Sequence, residues 1–207
     1  RASLRRNRFL VHLLGAWDRV LVAGARGLVL EANREPKRTG TAIPYGIHLL
    51  RTAGLVLEYG GDGVQTGAAL LHDTLEDCPG VTEAGLRARF GDEVAGIVRA
   101  LTDVLEGDTP ERKSPWLERK TRYLAHLASV PPRTQLVAAC DKLDNLRSLL
   151  ADLHADGPAT LERFRATPAQ IRWYYEEVRR ALGDGLPQRL SRELDLQPSV
   201  VRPWKRR

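Results

Sequence analysis

The segment spanning residues 68–77, AALLHDTLED, places four metal-capable side chains directly after a run of small apolar residues. If the segment is helical, His72 and Glu76 share one face, as do Asp73 and Asp77, because residues four apart stack on adjacent turns. The apolar run predicts a helix that is buried on nearly all sides. A buried His-Asp pair beside two more carboxylates is costly unless a cation neutralises it. The segment therefore predicts a metal site inside a helical core.

The composition is typical of a soluble globular protein, with 43% apolar and 28% charged residues in a chain of 207. This length suffices for one well-packed domain, or for one domain with a lobe. No apolar run approaches the roughly 20 residues that cross a bilayer, so we expect no membrane partner. Cys78 and Cys140 lack a pairing motif, which suits a reducing compartment. We expect a cytoplasmic protein with no disulfide.

The net charge of +6 comes from the two ends of the chain. Residues 1–8 hold four arginines and residues 202–207 hold four basic residues, and neither segment contains an acid. These eight leave 24 of the 32 basic residues against 26 acidic ones elsewhere. Basic ends can contact nucleic acid or another polyanion, but no nucleic-acid-binding motif accompanies them. We expect solvated ends and no nucleic-acid partner, and the sequence leaves the oligomeric state open.

Helical patterns run through almost the whole chain, and strand signals are few, so the predicted fold class is all-α. We predict helices over residues 17–33, 44–59, 64–77, 93–105, 115–128, 132–153, 158–165 and 168–182, with a further helix starting at Thr82-Glu83. The glycines of residues 60–63 predict a turn. From residue 186 the pattern is weak, and we expect an extended or mobile segment. The boundaries predict a basic N-terminal extension (1–16), one domain (17–182) and a C-terminal extension (183–207).

The turn at residues 60–63 predicts an antiparallel hairpin of two helices. His48 lies 12 residues before Gly60, and His72 lies nine after Gly63. At about 1.5 Å per residue, these positions are roughly 18 and 14 Å from the turn. Both histidines therefore reach the same end of the hairpin, where they can bind one ion.

A later helix supplies a further candidate ligand. Apolar residues follow helical spacing between Leu136 and Leu153, and a polar stripe containing Asp141 lies beside them. Because Asp141 follows the apolar sequence LVAAC, we expect a partly buried carboxylate that needs a partner. With His48, His72 and Asp73 it forms a mixed set of nitrogen and oxygen ligands. Such a set suits Mn, Fe, Zn or Mg better than a metal that prefers thiolates.

The ordered set His48, His72-Asp73 and Asp141 resembles the metal signature of the HD superfamily of phosphohydrolases. The flanking sequences narrow the resemblance to the hydrolase domain of RelA/SpoT homologues, which in stand-alone form is the small alarmone hydrolase family. The resemblance covers residues 17–182 and implies an HD-domain helical bundle. The motifs that carry it are PYGIH (44–48), ALLHDTLED (69–77), FGDEV (90–94) and DKLDNLR (141–147).

The resemblance implies a manganese-dependent pyrophosphohydrolase that removes the 3′-pyrophosphate of (p)ppGpp-like nucleotides and leaves GDP or GTP. It implies Mn²⁺, or another divalent metal, held by His48, His72, Asp73 and Asp141. Glu76 and Asp77 would act on the attacking water as general base and helper. The residues implied to bind the nucleotide are Lys37, Arg38, Tyr45, Asn145 and Arg147.

Three departures from the family pattern flank the expected nucleotide pocket. The basic loop has Arg38-Thr39 where relatives usually have Arg-Lys, Asn33 and Pro36 stand where a His and a Gln are common, and Asp144 stands where His or Tyr is usual. The four expected metal ligands are intact, so the sequence supports hydrolysis. Because the departures flank the pocket, the sequence defines the substrate less well than the reaction. Three alternatives stay open: an adenosine 3′-pyrophosphate such as (p)ppApp, another nucleotide, or a non-catalytic nucleotide-binding or antitoxin-like protein.

Overall fold

The computed structural model describes Gly24, Ala25, Gly27 and residues 42–78, 80–103 and 114–196. The predicted helix over 17–33 lies outside these ranges, apart from Gly24, Ala25 and Gly27, which are helical. Among the described residues the structure contains helices and no β-strand, which confirms the all-α prediction. No helix in these ranges is long and apolar enough to span a membrane.

The described helices closely follow the predicted ones along most of the chain. Their bounds are α1 Gly46–Glu58, α2 Gly63–Leu71, α3 Thr74–Asp77, α4 Glu83–Phe90, α5 Asp92–Leu101, α6 Trp116–Leu127, α7 Pro132–Asp156, a 3-10 helix Gly157–Arg163, α8 Pro168–Leu182 and α9 Gln188–Leu196.

The predicted turn joins α1 to α2, and these two helices pack against each other. Gly60 has a φ of +87°, which L side chains rarely adopt. A Cβ on Gly61 would lie 2.4 Å from Val56 Cγ1, so the next position also needs glycine. Asp62 then caps α2, since its side chain accepts from Gln65 N at 3.0 Å and Gln65 Oε1 accepts from Asp62 N at 3.1 Å. These contacts determine where α2 begins and which way it points.

The prediction of one continuous helix over 64–77 is wrong, because the helix breaks at His72 and Asp73. Asp73 has φ −98° and ψ −1°, in the sparsely populated bridge region between helix and strand. Thr74 Oγ1 donates to Leu71 O at 2.7 Å and so satisfies a carbonyl at the end of α2. The His-Asp pair therefore occupies a break between two helices and not the middle of one.

The longest of the described helices, α7, packs against α1, α2 and α5. Its apolar positions Leu136, Cys140, Leu143 and Leu146 are buried at the predicted helical spacing. Cys140 and Cys78 are both buried, and no disulfide joins them. The site therefore rests on a framework formed by the α1–α2 hairpin and α7.

Two predictions for the C-terminal third are wrong. Residues 157–163 form a 3-10 helix and not an α-helix, with Phe164 N bonding to Leu161 O three residues back. The segment after residue 186 is not extended, since it contains α9. Leu190 and Leu194 lie one turn apart on α9, and both are buried in the main core. This short apolar stripe stabilises α9 through tertiary packing.

Candidate metal centre

The two histidines of the hairpin meet at one end of it, as the spacing predicted. His48 lies in the first turn of α1 and His72 directly follows α2. Their ring centroids are 5.1 Å apart and the rings are nearly perpendicular. Both side chains are almost fully buried, at 1% and 2% exposed. Two buried imidazoles in contact need carboxylates or a metal around them.

The ring of His72 is oriented by its own helix. Its Nδ1 lies 2.8 Å from Ala69 O. A carbonyl oxygen can only accept, so Nδ1 carries the hydrogen and Nε2 is the nitrogen that faces the centre. Nε2 is buried and has no hydrogen-bond partner in the structure. A buried imidazole nitrogen in this position fits a metal ligand.

The ring of His48 is oriented by a distant residue. Its Nδ1 lies 2.7 Å from Asp144 Oδ2 on α7. Its Nε2 faces the same centre as that of His72, 3.1 Å from Asp141 Oδ1 and 3.8 Å from Asp73 Oδ2. Both imidazoles therefore direct Nε2 to one point.

Two carboxylates complete the centre. Asp73 Oδ2 is 3.0 Å from His72 Nε2, and one ligand atom from each of His48, His72 and Asp73 lies within 4.8 Å of the others. Asp141 Oδ1 adds a fourth donor, 3.1 Å from His48 Nε2 and 3.5 Å from His72 Nε2. The structure thus brings together all four side chains that the sequence nominated as metal ligands. Two imidazole nitrogens and two carboxylate oxygens suit Mn²⁺, Fe²⁺ or Zn²⁺.

The electrostatics of the cluster demand a positive charge. Burial lowers the pKa of His72, but Asp73 and Asp141 outweigh burial and hold that pKa well above its usual value. Burial likewise raises the pKa of Asp73, yet His72 and its neighbours bring it down to about 2. The carboxylates therefore favour positive charge at this centre. A divalent cation would supply that charge.

Asp141 is held in place by its neighbours on α7. Asn145 Nδ2 donates to Asp141 Oδ1 at 2.6 Å, and Lys142 Nζ lies 2.6 Å from Asp141 Oδ2. One oxygen therefore faces the histidines and the other faces a lysine. Asn145, predicted to bind nucleotide, here orients a candidate ligand.

Tyr45, also predicted to bind nucleotide, contacts the centre directly. Its hydroxyl donates to Asp73 Oδ2 in a short hydrogen bond. Burial, followed by the charge of Asp73, raises the pKa of the phenol far above its usual value. Tyr45 is therefore a neutral donor that orients Asp73 at the edge of the site.

The two carboxylates predicted to act on water lie on α3, immediately after the His-Asp pair. Glu76 Oε1 accepts from Asp103 N at 2.5 Å. Asp103 in turn pairs with Arg119 at 3.0 Å and Lys120 at 2.5 Å. Asp77 is exposed to solvent. The backbone of Asp103 therefore holds Glu76, ion pairs hold Asp103, and Asp77 faces water.

Arg147 lies almost two turns after Asp141 on α7. It forms an ion pair with Glu193 of α9, whose other oxygen accepts from Tyr59 Oη at 2.6 Å. Arg147 also lines a cavity of about 490 Å³ between α1 and α7, to which Arg51, Asp144 and Ser148 contribute. The remaining nucleotide-binding candidates, Lys37 and Arg38, lie outside the described residues.

Three contacts at this site involve residues that sequence reasoning did not assign to it: Asp144 with His48, Lys142 with Asp141, and Glu193 with Arg147. Asp144 and Lys142 had a local signal, because they lie within one turn of Asp141 on the same helix. Glu193 had none, since its segment was predicted to lack helical structure.

Comparison with known proteins identifies the fold family. The model of the HD domain matches residues 25–165, more than half of the chain. This chain belongs to the HD domain family. The matched residues include His48, His72, Asp73 and Asp141.

Relatives of this HD domain include named pyrophosphohydrolases. The chain is 33% identical over 135 residues to guanosine-3′,5′-bis(diphosphate) 3′-pyrophosphohydrolase MESH1 of Xenopus tropicalis, covering 64% of this chain and 71% of that protein. It is 37% identical over 119 residues to guanosine-3′,5′-bis(diphosphate) 3′-pyrophosphohydrolase of Aquifex aeolicus, but there the match spans only 16% of the relative.

Solved structures agree with this fold. A metazoan SpoT orthologue described as hydrolysing ppGpp superimposes with a TM-score of 0.67 at 25% identity, covering 84% of this chain and 92% of that one. A protein from Listeria monocytogenes EGD-e gives a TM-score of 0.62 at 28% identity, covering 74% and 96%. Nearly the whole of each of these two chains therefore matches this HD domain.

Proposed function

We propose that this HD domain hydrolyses the 3′-pyrophosphate of (p)ppGpp-like nucleotides and releases pyrophosphate. The observation that carries the proposal is the convergence of two imidazole Nε2 atoms and two carboxylate oxygens in a buried site. Two of its relatives are named for this reaction on guanosine-3′,5′-bis(diphosphate). The chain covers 71% of the first of them and 16% of the second.

We propose that His48, His72, Asp73 and Asp141 hold a divalent metal, with Mn²⁺ as the first candidate. The buried, unpartnered Nε2 of His72 supports this assignment, as do the nitrogen and oxygen donors around it. When bound, such a metal makes water a better nucleophile near neutral pH and offsets charge on phosphoryl oxygens. Tyr45, Lys142 and Asn145 orient the two carboxylates that contribute to the site.

The proton of the attacking water needs an acceptor beside the centre. We assign this role to Glu76, which is only partly buried and is held by the backbone of Asp103. Asp77, exposed on the same short helix, passes the proton on to solvent. Both carboxylates lie on the short helix that directly follows His72 and Asp73 in the chain.

The nucleotide carries several negative charges, and its binding needs cations and donors near the centre. Arg147 lines the 490 Å³ cavity, and its planar guanidinium suits bidentate contact with phosphate. We propose Lys37 and Arg38 as further phosphate contacts, and Tyr45 and Asn145 as donors to the reacting end of the nucleotide. This assignment makes a small nucleotide, not a nucleic acid, the ligand.

The experiment is product analysis with the purified chain, stripped of metal and resupplied with Mn²⁺. We expect ppGpp to give GDP and pyrophosphate in equal amounts. Asp73→Ala is the matched control, because Asp73 is partly exposed and makes no helix-capping bond, so its loss removes a ligand without a buried cavity. This variant should release no pyrophosphate while retaining its helical content.

Other outcomes would contradict the proposal in distinct ways. Turnover of ppApp without ppGpp would change the base, and release of orthophosphate would indicate another HD phosphohydrolase. Nucleotide binding without turnover by the Mn²⁺-loaded chain would make it a binding protein. If Asp73→Ala then retained its biological effect, the catalytic interpretation would be wrong.

A further inference from the structure

The imidazole of His48 is held between two carboxylates of one helix. Asp141 Oδ1 lies 3.1 Å from Nε2, and Asp144 Oδ2 lies 2.7 Å from Nδ1. These aspartates are three residues apart on α7, so they lie on the same face about one turn apart. The helix therefore presents one carboxylate to each nitrogen of the same ring.

The contact between Asp144 and His48 is deeply buried. His48 is 1% exposed and Asp144 is 3% exposed. A buried carboxylate is stable only with partners, so Asp144 cannot turn away from the ring without losing a charge-assisted hydrogen bond. The distance of 2.7 Å fits a strong bond of that kind. The ring orientation of His48 is consequently coupled to α7.

The other histidine shows why this bond matters. Nδ1 of His72 donates to the carbonyl of Ala69 in the preceding turn, which the helix supplies whatever the side chains around it. In α1 the Nδ1 of His48 bonds instead to a side chain 96 residues away. The direction of His48 Nε2 therefore depends on the identity of residue 144, whereas that of His72 Nε2 depends on the backbone.

We propose that Asp144 is a positioning residue of the metal centre. It keeps the hydrogen of His48 on Nδ1, directs Nε2 to the shared point, and increases the electron donation of the ring. The inference rests on the proposed metal centre. A carboxylate on the far nitrogen of a metal-binding histidine generally strengthens binding, and its loss costs about 10- to 100-fold in metal affinity or activity.

The test measures Mn²⁺ affinity directly, by electron paramagnetic resonance of the free ion during titration of the metal-stripped chain. We expect Asp144→Ala and the isosteric Asp144→Asn to bind Mn²⁺ about 10- to 100-fold more weakly than the unmodified chain. The matched control is Asp152→Asn, the same change on the same helix, where the carboxylate pairs with Arg163. We expect its Mn²⁺ affinity to be unchanged.

A second readout separates positioning from stability. With Asp144→Asn, the Mn²⁺ concentration that gives half-maximal pyrophosphate release should rise by the same factor by which the Mn²⁺ affinity falls. Saturating Mn²⁺ should restore most of the maximal rate. Melting temperatures in chelator report stability alone. A lowered melting temperature with unchanged Mn²⁺ affinity would make Asp144 a purely structural residue and overturn the inference.

His72→Ala distinguishes this failure from failure of the proposed centre. If His72→Ala weakens Mn²⁺ binding and the Asp144 variants do not, the centre stands and the inference is wrong. If His72→Ala binds Mn²⁺ as the unmodified chain does, the proposed centre itself is wrong and the inference is lost with it. If Mn²⁺ binds as expected but no nucleotide is hydrolysed, the proposed function fails while the role of Asp144 stands.

Discussion

Two regions along α7 differ in how firmly their polar groups are held. At the metal centre, the imidazoles and Asp141 have side chains at most 7% exposed, and each contacts a charged or polar partner. At the cavity between α1 and α7, Arg147 is 39% exposed and its partner Glu193 is 23% exposed. The first region is a buried cluster, and the second is an ion pair that water can reach.

This difference separates two requirements of a hydrolase. Buried charges cannot exchange partners with water without a large cost, so the donors of the centre keep their geometry. A partly exposed ion pair contributes little net stability and can exchange one anion for another. Under the proposed function, a phosphate of the nucleotide would replace Glu193 at Arg147, while the centre remains organised in advance.

The strongest challenge to this comparison is removal of a buried donor. His72→Ala should reduce pyrophosphate release to background, because loss of the metal removes several kcal/mol of transition-state stabilisation, or at least roughly 10³-fold in rate. Steady-state kinetics with Mn²⁺ titration measures it. A variant that retains even a tenth of the rate would show that the centre does not need this nitrogen.

The next effect concerns the proton acceptor. Glu76→Gln should lower kcat by about 10²-fold, within the usual range for loss of a general base, and leave Mn²⁺ affinity within about twofold. The amide can still accept the hydrogen bond from Asp103 N, so the network around it persists. Asp92→Asn is a suitable control, since Asp92 is an exposed carboxylate on α5. Equal losses of kcat and metal affinity would make Glu76 a ligand.

A substitution at Arg147, which lines the cavity between α1 and α7, should have a smaller effect. Arg147→Ala should raise KM about tenfold with kcat within about threefold, because it removes a charge-assisted contact to the nucleotide without touching the centre. Arg163→Ala is the matched control, since Arg163 also pairs with a carboxylate and lies outside the cavity. An unchanged KM in Arg147→Ala would limit this arginine to holding α9.

The smallest expected effect is the change with pH in the melting temperature of the metal-free protein, measured in the presence of a chelator. The raised pKa values of His48 and His72 stabilise the fold below the unfolded value of about 6.5, and this contribution is lost as pH rises. The lowered pKa values of Asp73 and Asp141 stabilise it above about 3.9 and are lost as pH falls, for Asp73 toward about 2. The melting temperature should therefore be highest between about pH 4 and 6.5.

The metal-loaded chain should behave differently. Mn²⁺ needs imidazoles without their protons, so the stabilisation it gives grows as pH rises, and its binding releases protons. Melting curves at several pH values with and without Mn²⁺ test this, with His72→Ala as the control that removes the difference. If the stability of the metal-free protein rose steadily from pH 6 to 9, the proposed charge balance would be wrong.

Sequence spacing was sufficient for the main parts of the site. The distances of His48 and His72 from the glycine turn predicted that they meet. The apolar sequence before Asp141 predicted a partly buried carboxylate, and Asp141 is 5% exposed. Capping residues such as Thr82, which accepts from Gly85 N at 3.1 Å, correctly predicted a helix start. These features are local, because helical spacing determines which side chains share a face.

The features that escaped prediction depend on packing between distant segments. The break at Asp73 needs a backbone conformation that no residue type demands. The bond from His48 to Asp144 joins residues 96 apart, and helical spacing does not specify which charged groups meet across that separation. The two leucines of α9 are too few to predict a helix alone, and they become informative only when the core accepts them.

The unequal anchoring of the two histidines has a consequence for folding. The bond from His72 to Ala69 spans three residues and forms with its own turn, early and at little cost in chain entropy. The bond from His48 to Asp144 closes a loop of nearly a hundred residues and forms only when α7 docks. During folding, the imidazole of His72 is therefore oriented for metal binding before that of His48. Tight metal binding then indicates that the contact between His48 and Asp144 has formed.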